Sequence, residues 1–323
     1  MADTVDLDQA EHEQISTSLE VEQLDTNLFR SKSLWLPFRA RGVFGGQVIS
    51  QAIVAATKCV KPEYELHSYF LLSASSAVPI LYYVDRVREG RTYTTRSVRA
   101  VQNGRTVFLL ICSFQIPEPW QPSHHWPMPN VPSPEDCKDE QDLLLAVARR
   151  PGLDEKVKET CLQLAEVRSP TVYTDRDVEL GCQEREKSPV SVRRAAERIG
   201  AEGTPVFMYW MRPRDKVSYE APFQKVSARS NLPVVANTLG LKRLTSGPDA
   251  LAMLSSLDHS IFFYDRNFDC SDWILYVTVS PTAGSGRGVV MGRMYSRNGT
   301  LVAVTTQEGV VRADIRPPVE AKM

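Results

Sequence analysis

One pattern of residues occurs twice in this chain. His67-Ser68-Tyr69-Phe70 is followed by Asn103-Gly104 and the apolar run 107–114, and His259-Ser260-Ile261-Phe262-Phe263 by Asn298-Gly299 and the run 301–306. From His to Asn the spacing is 36 residues in the first copy (103 − 67) and 39 in the second (298 − 259). An offset of ~190 residues is far beyond the roughly 20 to 50 of a solenoid repeat. The pattern reads as two copies of one small domain, and it directs attention to where the copies differ.

A chain of 323 residues has room for two domains with cores of their own. The net charge of −1 provides no field that would recruit nucleic acid, so no nucleic-acid partner is expected. No apolar run approaches the ~18 residues of a membrane span. Residues 1–14 are acidic and lack the basic and apolar regions of a signal peptide. The chain ends Glu320-Ala321-Lys322-Met323, without a Ser-Lys-Leu type of peroxisomal address. An intracellular, cytoplasmic location is the expectation. Cys59, Cys112, Cys137, Cys161, Cys182 and Cys270 are scattered, with no C-x-x-C spacing, so neither a disulfide framework nor a zinc site is indicated.

Residues 1–20 read as a polar N-terminal tail. The spacing of Val48, Ile49, Ala52, Ile53, Ala55 and Ala56 predicts a helix over 43–60, apolar on nearly every side and therefore buried on nearly every side. The stretches 66–73, 80–88, 92–102 and 105–115 read as strands, and Asn103-Gly104 between two of them is a strong hairpin signal. The unit over 21–116 is one buried helix followed by an antiparallel sheet curled around it. Seven prolines between 117 and 134 mark its exit. Residues 117–204 read as a connecting segment packed over the surface, helical over 136–167 and irregular over 168–204. The second unit, 205–323, is expected to hold a strand at 206–212, a helical stretch at 223–239, and strands at 250–264, 273–280, 288–296 and 300–311.

These residues resemble the type II acyl-CoA thioesterases. In the first half the resemblance lies in Leu28-Phe29-Arg30, Val43-Phe44-Gly45-Gly46-Gln47-Val48, His67-Ser68-Tyr69-Phe70, Gln102-Asn103-Gly104 and Ser113-Phe114. In the second it lies in Leu257-Asp258-His259-Ser260, Asn298-Gly299 and Gln307-Glu308-Gly309-Val310. The resemblance implies an α+β double hotdog fold, in which two antiparallel sheets are each wrapped around a central helix. It also implies hydrolysis of an acyl-CoA or related acyl thioester, no cofactor, and association into homo-oligomers. Within the family an Asp, a hydroxyl residue and a Gln hold and activate the attacking water. Carried over by motif, the hydroxyl falls on Ser256 and the Gln on Gln307. The Asp falls in Ser227-Ala228-Arg229-Ser230-Asn231-Leu232-Pro233-Val234, where Ala228 occupies the carboxylate position and an alignment shifted by one would place Arg229 there; neither accepts a proton.

A general base contributes roughly 10²- to 10⁴-fold in rate. Ser256 and Gln307 can orient a water but cannot take its proton, so the chain as written is expected to be nearly inactive as a hydrolase. Two accounts of Ala228 stand side by side: an engineered Asp-to-Ala change that would trap a bound thioester, and natural divergence toward a hotdog protein that binds an acyl or polyketide thioester without hydrolysing it or turns it over by another route. Regular strand alternation over 250–264 would point Ser256, Asp258 and Ser260 together and His259 away, making Asp258 a possible substitute base. Pairing of Asp258 with a backbone amide or with an Arg near the sheet rim is the competing expectation.

Gly45 and Gly46 open the buried helix, where amides can bind a developing oxyanion or where glycine simply permits close packing. Phe223, Phe262, Phe263 and Tyr264 are candidates to line an acyl-chain cleft. His67 and His259, present in both halves, read as parts of the repeated scaffold. His124-His125 lacks the carboxylate or Cys partners of a metal site. The arginines at 86, 88, 91, 96, 99 and 105 read as a solvated sheet face.

Overall fold

The computed structural model describes residues 18–36, 42–60, 65–116, 118, 120–167, 190–213, 232–241, 249–265 and 268–315. The helix expected over 43–60 is α1, Gly45–Lys58, and it is buried even at Gln47, Ser50 and Gln51. Polar groups inside a core must be bonded, and the two glutamines are. Four residues apart, they share a face. Both side-chain amides donate to the carbonyls of Ser18 and Ser33. Gln47 Oε1 accepts the Trp35 amide, and Gln51 Oε1 accepts the Tyr82 hydroxyl, each at 2.7 Å. Ser18 and Leu19, which fall within the expected tail over 1–20, are accordingly buried under the helix.

Six strands curve around α1: β1 Val21–Asp25, β2 Leu28–Ser31, β3 Glu65–Phe70, β4 Leu81–Glu89, β5 Tyr93–Gln102 and β6 Arg105–Gln115. β1 and β2 were not foreseen, because one short stretch with a single buried position in five carries no alternation to read. β5 and β6 turn through Asn103-Gly104, where φ is +51° and +73°. Positive φ at both positions is what a two-residue hairpin of type I′ demands.

The second half contains β7 Val190–Ile199, β8 Pro205–Pro213, β9 Leu251–Ser256, β10 Asp258–Phe263, β11 Ile274–Gly284, β12 Arg287–Ser296 and β13 Leu301–Ala313. A helix, α4 (Leu232–Thr238), packs against β9, β11, β12 and β13 in the position α1 takes in the first half. Residues 223–231 of the expected helical stretch lie outside the described residues. β7 corrects the expectation that 168–204 is irregular: paired to β8 along its length, it is an edge strand of the sheet. The single strand expected over 250–264 is broken at Leu257 into β9 and β10. The second Asn-Gly also departs from the first. Only Gly299 has positive φ, and the loop closes between Ser296 and Thr300, so it is one residue longer.

Two helices, α2 (Glu140–Ala148) and α3 (Glu155–Val167), lie within the connecting region. The proline-rich stretch before them runs over the outer face of the second half. Met128 and Val131 pack on Trp210, Trp273, Leu275 and Tyr295. Trp210 Nε1 donates to the Pro132 carbonyl at 2.9 Å. Trp126 lies against the Arg293 guanidinium.

The two halves are two curved sheets around two helices, the double hotdog, and they join through β3 and β10 into one sheet. Its order is β1-β2-β4-β5-β6-β3-β10-β13-β12-β11-β8-β7, with β9 beside β13. The core follows the seam: Ile261, Phe263, Tyr276, Met294 and Ala303 cluster with the residues around α1. The duplicated motif is itself the seam. Its register sets Ser68 opposite His259 and His67 opposite Ser260. Directly opposed residues share a face, so positions 67 and 259 lie on opposite faces. The two histidines are therefore not equivalent parts of a repeated scaffold.

Candidate functional site

Along one edge β13 pairs with two strands in turn. Residues 303–306 face β10, with Ser260 opposite Thr306, while 309–313 face β9, with Ser256 opposite Gly309. Three residues separate Ser256 from Ser260 and only two separate Thr306 from Gly309. Leu257 and Asp258 thus stand together against Glu308, a β-bulge, and bulges re-aim the side chains beside them. The Leu257 amide donates to the Glu308 carbonyl at 2.9 Å, and the Glu308 amide donates to Asp258 Oδ1 at 2.8 Å. Across this bulge Gln307 Nε2 donates to Ser256 Oγ at 2.9 Å. Two residues named from the motif are therefore side-chain partners, though 51 positions apart in sequence.

The bulge also changes which neighbours share a face. Ser256 opposes Gly309, and Ile261 opposes Thr305. Thr305, Gln307 and Gly309 alternate onto one face of β13. Ser256, His259 and Ile261 therefore point inward with Gln307, whereas Asp258 and Ser260 occupy the other face. This reverses the alternation expected from sequence. Asp258 is not poised as a substitute base beside Ser256, because the extra residue flips it away and its carboxylate is bonded to the Glu308 amide.

The inner face near the pair is polar and dry. Gln307 is only 2% exposed, and His259 is buried deeply enough that desolvation pulls its pKa from 6.5 down to about 4. It is neutral at physiological pH. Tyr276 on β11 reaches over β12 to Thr305, with the two hydroxyls 2.7 Å apart. Gly292 makes room for that crossing: a Cβ there would sit 2.4 Å from Thr305 Oγ1 and 2.5 Å from Tyr276 Cε2. Gly309, opposite Ser256, places no side chain over the pair. On the outer side Arg287 pairs with the Glu308 carboxylate at 3.2 Å.

Ala228 and Phe223 lie outside the described residues. Gly45 and Gly46 begin α1, and the amides of Gln47 and Val48 are taken by the Phe44 carbonyl. The first two amides of a helix have no acceptor within it. The expected acyl-lining trio does not share a cleft: Phe263 is buried in the core opposite Ala303, Phe262 faces the other side, and Tyr264 is 72% exposed. Strand alternation separates neighbours in sequence. Ala303 is also four positions along β13 from Gln307, roughly 13 Å. Among the arginines, Arg96 departs from the solvated face. It is buried, and its guanidinium donates to the carbonyls of Cys59, Arg88 and Thr95 and pairs with Glu89, closing the C-terminal end of α1. His124 and His125 are exposed. Among the described residues no group of His, Cys, Asp or Glu is arranged to hold a metal ion, and no helix is long and apolar enough to cross a membrane.

Comparison with known proteins gives the family. Residues 33–115 match the acyl-CoA thioesterase N-terminal domain and residues 162–311 the acyl-CoA thioesterase C-terminal domain. Human acyl-coenzyme A thioesterase 8 is 32% identical over 314 residues, spanning 96% of this chain and 92% of that protein. The chain belongs to the acyl-CoA thioesterase family. The acyl-CoA thioesterase 2 of Haemophilus influenzae is 31% identical over 91% of this chain and 95% of its own length. Among solved structures, an acyl-CoA thioesterase II from Mycobacterium marinum superposes with a TM-score of 0.65 at 26% identity, over 94% of this chain and 99% of that one. A hot dog protein from Alicyclobacillus acidocaldarius shares the fold alone, with a TM-score of 0.64 at 16% identity over 93% of this chain and 98% of that one. In this thioesterase-family chain, sequence reasoning missed the bulge, the Tyr276–Thr305 pair and the glutamines of α1. The i,i+4 glutamines in an otherwise apolar helix were the one visible signal.

Proposed function

We propose that this protein acts on acyl-CoA thioesters, and that hydrolysis proceeds by direct attack of water at a site built on Ser256 and Gln307. The observation that carries the reading is their 2.9 Å hydrogen bond across the bulge, on the inner face of the second half. With Nε2 donating to Ser256 Oγ, the Ser256 hydroxyl is left to donate onward, and the two groups form a polar notch that can hold a water. The water oxygen would attack the thioester carbonyl carbon. The carbon–sulfur bond then breaks, and the departing thiolate takes up the proton removed from the water. Amides at the start of α1, at Gly45 and Gly46, suit the oxyanion of the tetrahedral intermediate.

Removing the water proton calls for a base at position 228, and the alanine there accepts none. The chain is accordingly proposed to bind acyl-CoA while turning it over slowly, whether the alanine is engineered or natural. The second reading, a thioester-binding protein that does not hydrolyse, rests on that same residue. Assaying the chain beside Ala228→Asp on acyl-CoAs of graded length separates the two. A rise on the order of 10²- to 10⁴-fold is expected in the Asp form, and it should vanish again when Ser256→Ala or Gln307→Ala is added. No hydrolysis by the Asp form at any chain length, with acyl-CoA binding retained, would establish the binding protein instead.

A further inference from the structure

An antiparallel ladder that sets two residues against one disturbs the regular cross-strand bonding, and the backbone groups at that point need other partners. Here both polar groups of Glu308 are held by the two bulge residues: its carbonyl by the Leu257 amide, its amide by the Asp258 carboxylate. Leu257 follows Ser256, and Glu308 follows Gln307. The contact that anchors the bulge is thus one residue removed, on both strands, from the contact that forms the candidate site. We infer that Asp258 is a positioning residue, whose carboxylate holds the Glu308 amide and so sets the bulge that brings Ser256 Oγ to Gln307 Nε2.

The chemistry of the side chain fits this role. An aspartate reaches a backbone amide from the adjacent strand and accepts from it without needing a proton of its own. The Glu308 side chain is engaged separately by Arg287, so it does not compete for the amide. Asp258 lies on the face opposite Ser256, Gln307 and His259, where it shapes the backbone without touching a substrate between them. The consequence for the reaction rests on the hydrolytic reading above. The consequence for the geometry does not.

Two variants decide it. Asparagine keeps an acceptor oxygen where the carboxylate has one, and alanine keeps none. In the chain as it stands, exchange of the Glu308 amide is expected to accelerate on the order of tenfold or more in Asp258→Ala and to change little in Asp258→Asn. Crystal structures should show the Ser256–Gln307 hydrogen bond broken in the first and kept in the second. Placed on Ala228→Asp, Asp258→Ala should lower kcat about 10- to 100-fold, the scale of a small misplacement of reacting groups, with KM little changed, and Asp258→Asn should stay within a few-fold. Unchanged Glu308 exchange and an intact Ser256–Gln307 bond in Asp258→Ala would overturn the inference. A kcat lost equally in both variants would make Asp258 a proton acceptor instead. A lower melting temperature with kcat intact would make its role stability alone. If Ala228→Asp is itself inactive, the hydrolytic reading fails, and the exchange and crystallographic results still decide the geometry.

Discussion

Replacing His259 with glutamine tests whether the inner face beside Gln307 is as dry as the fold implies. Burial there pulls the imidazole from 6.5 to about 4, so the folded protein resists a proton that the unfolded chain accepts readily. The sign follows from linkage. Above about pH 6.5 both states carry a neutral ring, and its contribution to stability is complete. As the pH falls toward 4 the unfolded chain gains a proton first, and stability is lost until the folded state protonates too. At 1.36 kcal/mol per pH unit, the whole gap is worth about 3 kcal/mol. Between about pH 7.5 and about pH 4.5 some 2.5 kcal/mol of it should disappear. Urea unfolding followed by tryptophan fluorescence at several pH values gives the dependence for the chain and for His259→Gln. Groups that titrate alike in both proteins cancel in the difference, leaving the histidine. The variant should lose less stability on acidification by about that amount, whatever its stability at neutral pH. Parallel pH dependences would refute the reasoning, because they would mean that His259 protonates in the fold as easily as in water.

Gly292→Ala should destabilise the second half by roughly 1–3 kcal/mol, since the new methyl meets Tyr276 and Thr305 well inside contact distance; an unchanged urea midpoint would show that the two side chains can part at no cost. Gln51→Leu leaves the Tyr82 hydroxyl without its acceptor and withdraws a donor from the Ser18 and Ser33 carbonyls. It should cost about 1–3 kcal/mol and speed proteolytic cleavage within residues 18–36; a cleavage rate equal to that of the parent chain would show that the segment is held by other contacts.

What was legible in the sequence was local. The helix around α1 announced itself through small apolar residues at every turn, and the β5–β6 hairpin through an Asn-Gly flanked by β-branched runs. Ser256 and Gln307 were found through motif resemblance, which survives because each sits in a short recognisable string. What was not legible depends on which strand meets which. The bulge exists only because β13 pairs with two strands along one edge, and it reversed the facing of Asp258 and His259. Reading 250–264 as one regular strand gave the wrong partner for Ser256. The repeated His-Ser letters likewise concealed a register in which the two copies pair with each other and Ser68, not His67, stands opposite His259. Strands β1 and β7, at the two ends of the sheet, escaped for another reason: each carries a single buried position, too few to impose a pattern, and the four residues of β2 are too short a run to read.

The seam between β3 and β10 has a consequence for how the chain is made. Its two strands lie about 190 residues apart, and the earlier one is synthesised long before its partner. From the end of β6 at Gln115 to the end of β10 at Phe263, the ribosome needs roughly 7 to 30 s at ordinary rates. During that interval the first half has its helix and hairpin but an unpaired strand edge at β3, flanked by the half-exposed Leu109 and Ile111. Such an edge will pair with any suitable strand, including one from a neighbouring nascent chain. Duplication therefore gave this protein its second half at the cost of a waiting period, and the edge left open in that period is the His67 motif itself.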